Sequence, residues 1–423
     1  VMFPSWMVSR SRIHSPKGRA GVMREWLRQL AVAGSDPRAE GARRSSWFGR
    51  LWNRLRGGYD YSHEVASAMD GCLACKACAT QCPIQVDVPA FRSEFLALYH
   101  GRYPRPITDL FVARLEGVLP LMARLPRVSN WLSNGPIGRP LLRVLGLVDT
   151  PALSTLSLKK ELHKRSVVTF SEAAFEAISG DEKGRTVLVL QDAFTSFYEP
   201  HVLLAVLDLI ELLGFRPLLV PYLPSGKGSH VKGFLRRYGT DARRWKALLT
   251  GLAKTGRPVL GVDPAVVLVF RDELPHALGE AAPVTVSLVQ EWLAAQRGSI
   301  ARLPAPAKRY RLFGHCTERT AVPASNTLWR QVFSAFGVEL GAESVGCCGM
   351  CGAFGHEARH AQESRGIYAL SWQPHLAAVP ADVEPLATGH SCRSQVHRCD
   401  ERVLRHPAEA LVSELRAARE RAA

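Results

Sequence analysis

The run Cys72-Leu73-Ala74-Cys75-Lys76-Ala77-Cys78-Ala79-Thr80-Gln81-Cys82-Pro83 decides how this chain is read. Cysteines spaced C-x2-C-x2-C-x3-C-P are the thiolate pattern around bacterial iron–sulfur clusters. Two-residue gaps wrap a short turn around three iron corners. The proline after Cys82 blocks helix continuation and sends the fourth thiol elsewhere, in two-cluster proteins to the other cluster. A zinc knuckle or a thioredoxin-type pair needs only C-x-x-C. Four cysteines plus the proline point instead to a [4Fe-4S] cluster at Cys72, Cys75, Cys78 and Cys82.

Helices are expected on either side of the run, from Tyr61 to Asp70 and from Val88 to Leu98, the latter with Phe91, Phe95 and Leu98 on one face. A thiolate-ligated cubane needs such shielding from water. Residues 61–102 thus read as a ferredoxin-like module. Residues 1–60 read as a basic helical lead-in, with 12 Arg/Lys against 4 Asp/Glu and a Gly/Ser/Arg-rich patch at 41–58. Trp26, Leu27 and Leu30, and then Trp47, Leu51 and Leu55, recur at helical spacing, so they are expected to pack inward with the arginines outside. A nucleic-acid arm is set aside in favour of that reading, while association with a membrane surface stays open. Residues 103–183 are Pro-rich, helical in pattern and read as a connector.

From residue 184 the grammar changes to strand–helix alternation, which predicts α/β units on parallel sheets. Val187–Leu190 is a buried-strand run, His201–Leu213 a helix and Pro217–Val220 the next strand; the pattern returns at Tyr310–Phe313 and Asn326–Phe336. Ala193, Pro200 and Gly214 lie 123 positions before Cys316, Pro323 and Gly337, and Pro224-Ser225-Gly226 falls against Cys347-Cys348-Gly349. With four more residues, Ala265 falls against Cys392. Residues 184–300 and 301–416 therefore read as a repeat whose first copy has lost its cysteines. The expected fold class is α+β: a helical ferredoxin-like module followed by two repeated α/β units.

Cys316, Cys347, Cys348 and Cys392 form a dispersed thiolate set at strand ends and on a Gly-rich turn, where open α/β sheets place their sites. They predict a second iron–sulfur or zinc site. Cys351 adds a fifth thiol, and Cys399 reads as peripheral. His315, His356 and His390 stand nearby as candidate proton carriers, and Arg319 as a candidate anion partner or the ion-pair mate of Glu318. No catalytic residue is assigned. Gly226-Lys227-Gly228-Ser229 lacks the upstream glycine of a phosphate loop, and no G-x-G-x-x-G follows a strand.

Ten cysteines in 423 residues do not form a secreted disulfide scaffold; six sit in tight groups, which suits metal ligation in a reducing cytoplasm. The most apolar run, Val202 to Leu223, is broken by Asp208, Glu211 and Arg216, so no transmembrane span is expected. The expected location is the cytoplasm, with peripheral attachment to the inner face of the membrane open. The net charge of +16 lies half within the first 60 residues. The chain begins with Val1, which suits an unusual start codon or a piece of a longer polypeptide.

These phrases resemble the C-terminal, iron–sulfur half of bacterial FAD-linked D-2-hydroxyglutarate and D-lactate-type dehydrogenases, which carry cysteine-rich CCG domains. The resemblance is carried by Ser15-Pro16-Lys17-Gly18-Arg19, Asp70-Gly71-Cys72 through Cys82-Pro83, Gly314-His315-Cys316-Thr317-Glu318-Arg319-Thr320, Gly346-Cys347-Cys348-Gly349-Met350 with Gly355-His356-Glu357, and Ser391-Cys392-Arg393-Ser394-Gln395. It implies an oxidoreductase component, not catalytic alone, that takes electrons from an FAD-binding domain or subunit and passes them to a quinone or carrier. Related proteins carry an earlier motif ending Met-Cys-Pro-Ser, where this chain has Met2-Phe3-Pro4-Ser5, and Cys392 is followed by Gln395 where a second cysteine is usual. Alternatives are an iron–sulfur subunit of a glycolate-oxidase or heterodisulfide-reductase type, and a non-redox zinc or nucleic-acid-binding module.

Overall fold

The computed structural model describes residues 3–37, 45–303 and 308–422. Met2 and residues 41–44 of the Gly/Ser/Arg-rich patch lie outside the described residues. The architecture is α+β, mostly helical, with two all-parallel sheets.

The first third is helical. Ser15 caps α1 (Pro16–Val32) by accepting the Gly18 N–H, and Ser46 likewise caps α2 (Trp47–Leu55). Then come α3 (Ser62–Asp70), the cysteine run with the short α4 (Ala77–Gln81), and α5 (Val88–Arg102), which Asp87 caps. Met23, Trp26, Val65, Met69, Cys72, Val88 and Phe95 form one core around the run. Two expectations are corrected here. Phe95 is buried, but Phe91, a full turn away, is exposed. Trp47, Leu51 and Leu55 point into solvent, because Asn53 turns the polar side of α2 toward α5 by donating to the Arg102 carbonyl. Next follow α6 (Ile107–Met122), α7 (Pro126–Asn134) and α8 (Gly138–Val144).

The first sheet has the order β1-β3-β2-β4-β5, from Val168–Thr169, Thr186–Val189, Arg216–Leu219, Val259–Gly261 and Val286–Leu288. The second runs β7-β6-β8, from Glu339–Glu343, Arg309–Phe313 and Val383–Ala387. Their central strands share order and sense: β2 lies between β3 and β4 as β6 lies between β7 and β8. A single bridge from Leu386 to Arg405 stands where β5 pairs in the first sheet. Strands β2, β3, β4 and β5 are largely buried and mostly apolar, as a sheet covered on both faces requires, whereas β1 is exposed and β7 is mostly half-buried.

Helix α9 (Pro200–Leu212) packs on α14 (Pro407–Ala422), and α10 (Val289–Ala295) packs on α12 (Ser325–Ala335). Each contact crosses from one sheet to the other, and one is the pseudo-symmetric mate of the other. Val206, Leu207, Trp292, Trp329 and Phe333 fill the shared core between them.

Candidate functional site

The cysteine run turns on left-handed residues, Ala74 at φ 49° and Lys76 at φ 60°. This backbone curls Cys72, Cys75 and Cys78 onto one small cavity shared with Phe3, Ser5 and Arg19. Arg19 is buried there; its guanidinium donates to the Ala68 carbonyl at 2.8 Å and to Ser5 Oγ at 2.9 Å. Its positive charge acts on Cys72 and Cys75. Burial, then the neighbouring Cys316, pushes the Cys75 thiol well up. Cys82 stands apart. It lines a separate cavity of 580 Å³ with Phe3, Cys78, Ile84 and Val86, and the N–H groups of Val86 and Ile84 hold its thiol below its ordinary value. Phe3, itself left-handed at φ 59°, lines both cavities.

In the second set, Cys316 opens α11 (Cys316–Ala321) after β6, and its sulfur lies 4.0 Å from that of Cys347. Cys348 is buried beside Cys347 and Cys392, and their thiols act on its own, which is held well above its ordinary value. Cys392 lies in the first turn of α13 (His390–Asp400) after β8. The turn after the adjacent cysteines needs Gly349: it has φ 87°, and a Cβ there would meet the Ser364 carbonyl at 2.2 Å. Its counterpart Gly226 has φ 74°. At that counterpart turn, Ser225 donates to Glu116 instead, at 2.8 Å.

The hydrogen bond with Cys347, then burial, holds the Cys316 thiol well above its ordinary value, and burial raises Cys392. Such thiols are cheap to keep neutral and costly to ionise unless a cation joins them.

The two sets meet. Leu73, from the middle of the run, packs with Cys316, Cys347 and Cys351, and the Cys351 thiol donates to the Leu73 carbonyl. Burial pushes Cys351 up to about 12. Among the described residues, no group of three or more His, Cys, Asp or Glu side chains is disposed to grip a single metal ion. Three thiols, of Cys72, Cys75 and Cys78, line one cavity together with Ser5, Arg19 and Lys76, and Cys82, expected as the fourth ligand, is not among them; thiolates are the ligand type that iron–sulfur clusters take.

The histidines divide. Burial holds His356 neutral, down to about 4, and its ring faces the Val148 carbonyl, away from the thiols. Arg319 donates to the Val345 carbonyl. It does not pair with Glu318, which is fully buried among Gln290, Ser325 and Thr388. His315 and His390 come together between the sheets with two aspartates that spacing alone did not single out. Asp263 accepts the backbone N–H of His390 at 2.9 Å, from exactly the position that the repeat register sets against it, 127 residues earlier. Asp192 is likewise the counterpart of His315, 123 residues on. The pseudo-twofold axis therefore passes through an Asp192, Asp263, His315 and His390 tetrad. Burial and the neighbouring Asp263 carboxylate push Asp192 up to about 6. Burial holds His315 down. Around the tetrad, Glu199 receives His390 Nδ1 at 2.9 Å and the Arg393 guanidinium, and Phe194 stacks on the His390 ring at 4.8 Å. The signal for Asp263 was present in the register, since Asp263 falls opposite His390 there.

No family model and no solved structure matches the chain. Curated relatives do. The chain is 46% identical to the D-2-hydroxyglutarate dehydrogenase of Escherichia coli over 97% of its own length and 42% of that protein. It is 46% identical to the protein of the same name from Pantoea ananatis, over 97% of this chain and 41% of that one. The Haemophilus influenzae protein is 42% identical over 98% of this chain and 42% of its own. The expectation of a resemblance to a C-terminal half is corrected by these alignments. The similarity extends over nearly the whole chain, beyond the quoted phrases, and is to proteins named D-2-hydroxyglutarate dehydrogenase. The chain spans about two-fifths of the length of the curated relatives it matches.

Proposed function

We propose that the chain serves a flavin-linked oxidoreductase of the 2-hydroxyacid dehydrogenase type, carrying electrons from an FAD-binding domain or subunit to a quinone or small carrier. The observation that supports this most is that Leu73, from the middle of the first cysteine run, packs against Cys316, Cys347 and Cys351 of the second set. The relatives' name supports a D-2-hydroxyacid such as D-2-hydroxyglutarate as substrate. Oxidising its hydroxyl carbon to a ketone releases two electrons and two protons, which the acceptor takes up.

In this reading Cys72, Cys75 and Cys78 hold a [4Fe-4S] cluster in a ferredoxin-like module, and Cys316, Cys347, Cys348 and Cys392 hold a second iron–sulfur or zinc site in a CCG-type unit. An iron–sulfur group, when bound, supplies one-electron chemistry. The chain's own residues exclude water through Leu73, Met69 and Phe354 and set a buried guanidinium, Arg19, beside the first thiols. His315 and His390 are the candidate proton groups. Among the described residues no helix is long and apolar enough to cross a membrane, and we place the protein on the cytoplasmic side, with peripheral attachment.

Anaerobic purification followed by iron and acid-labile sulfide analysis tests the reading. Iron and sulfide that fall together in a Cys75→Ser variant are expected. Zinc without sulfide would overturn it.

A further inference from the structure

Helix α2 is amphipathic and faces the wrong way round. Asn53 and Arg50 tie its polar side to the protein, through the Arg102 and Ser45 carbonyls. Its apolar side, Trp47, Phe48, Leu51, Trp52 and Leu55, is exposed, with Phe48 at 75% and Leu55 at 70%. No residue of this helix is buried. A globular helix normally does the opposite.

Exposed apolar residues also follow in the next helices. Arg54 and Pro106, the residue before α6, line one cavity. From there Ile107, Leu121, Leu125, Trp131, Ile137 and Val144 are exposed along α6, α7 and α8. Charge on this stretch has one sign. Arg54 and Arg56 on α2, and Arg114, Arg124, Arg127, Arg139 and Arg143 beyond it, are exposed, and residues 45–58 hold no acidic residue. The two acidic residues between 107 and 148 are turned inward: Asp109 is paired with Lys232, and Glu116 receives Ser225 and Gly226.

Tryptophan, phenylalanine and leucine on a surface fringed only by arginine are what an interfacial helix presents to lipid: the rings enter the headgroup boundary and the cations meet anionic headgroups. An acidic protein would satisfy the arginines but would leave this breadth of exposed aliphatic and indole surface without an apolar counterpart. We propose that α2 with α6–α8 is a docking face for an anionic phospholipid surface. This deepens the membrane-side acceptor of the proposed function and rests on that reading only for its purpose, since vesicle binding is measured without any redox chemistry.

The full chain would be floated with vesicles of phosphatidylcholine alone and of phosphatidylcholine mixed with phosphatidylglycerol. Binding to the mixed vesicles, weakened by salt, with a blue shift of tryptophan emission, is expected. Arg54→Gln and Arg56→Gln should each weaken binding about fivefold, and Trp47→Ala with Trp52→Ala roughly tenfold or more. All four positions are outside the thiol sites, so iron content should stay unchanged in the same samples. Equal binding to both vesicle types, no binding to either, or self-association abolished by Trp52→Ala in place of lipid binding would overturn the proposal. Lipid binding by a protein without iron and sulfide would leave it standing and overturn only the electron-transfer reading.

Discussion

Lys232 is the sharpest test of how the three parts of the chain are held together. Its side chain is 6% exposed, and its ammonium lies 2.9 Å from Asp109 of the helical segment and 2.5 Å from Glu357 of the cysteine-rich part. Lys232→Met keeps the stem and removes the charge, leaving two buried carboxylates. Deleting one partner of a buried pair costs about 3–5 kcal/mol. Arg359 still pairs with Glu357 at 2.7 Å, so the lower end, about 3 kcal/mol, is expected.

The pH dependence has a definite sign. Burial acts upward on Glu357, but Lys232 and Arg359 hold it below its ordinary value. Its stabilisation is therefore fully present above the unfolded carboxylate value of about 4.3 and is lost as pH falls through the lower folded value. In Lys232→Met that depression weakens, and a carboxyl protonates more readily, so the penalty should shrink on going from neutral pH to mildly acidic pH. Guanidinium unfolding of both proteins at the two pH values measures it. Lys232→Met/Glu357→Gln should recover part of the loss, giving a coupling by double-mutant cycle. A penalty under about 1 kcal/mol at neutral pH, the range of an exposed pair, or one that grows on acidification, would refute the reasoning.

Asp263→Ala removes the cap of Ala265 and the acceptor of the His390 N–H, and should cost about 2–4 kcal/mol while making Cys392 react faster with iodoacetamide; unchanged Cys392 reactivity would show that Asp263 does not position α13. Cys348→Ser should lower bound metal, measured by plasma emission, whereas Ser225→Ala at the matching turn should lower stability through Glu116 and leave metal unchanged.

The parallel sheets were legible because strands read as apolar runs, unbroken at Val187–Leu190 and interrupted only by Arg311 at Tyr310–Phe313, and because glycines such as Gly214 and Gly337 mark the same place after each helix. The thiols were legible through spacing. What sequence hid was tertiary. Periodicity shows that α2 has an apolar face, but it cannot show that Asn53 fastens the opposite face to the protein. It shows Phe91 and Phe95 on one helix without showing that only Phe95 reaches the core. Lys232, Asp109 and Glu357 carry no local signature, since each is an ordinary charged residue until three distant segments bury it.

The tetrad at the pseudo-twofold axis also bears on exchange between copies. Were two identical units to pair, each position on the axis would meet itself, aspartate against aspartate or histidine against histidine. Divergence has made every such pair unlike: Asp192 stands for His315, and Asp263 for His390. The first unit thus offers carboxylates where the second offers imidazoles and backbone donors. A second unit that swapped onto the second unit of another molecule would lose the Asp263 acceptor and the Glu199 clamp on Arg393 together. The pairing of the first unit with the second therefore has contacts that a pairing of two second units would lack.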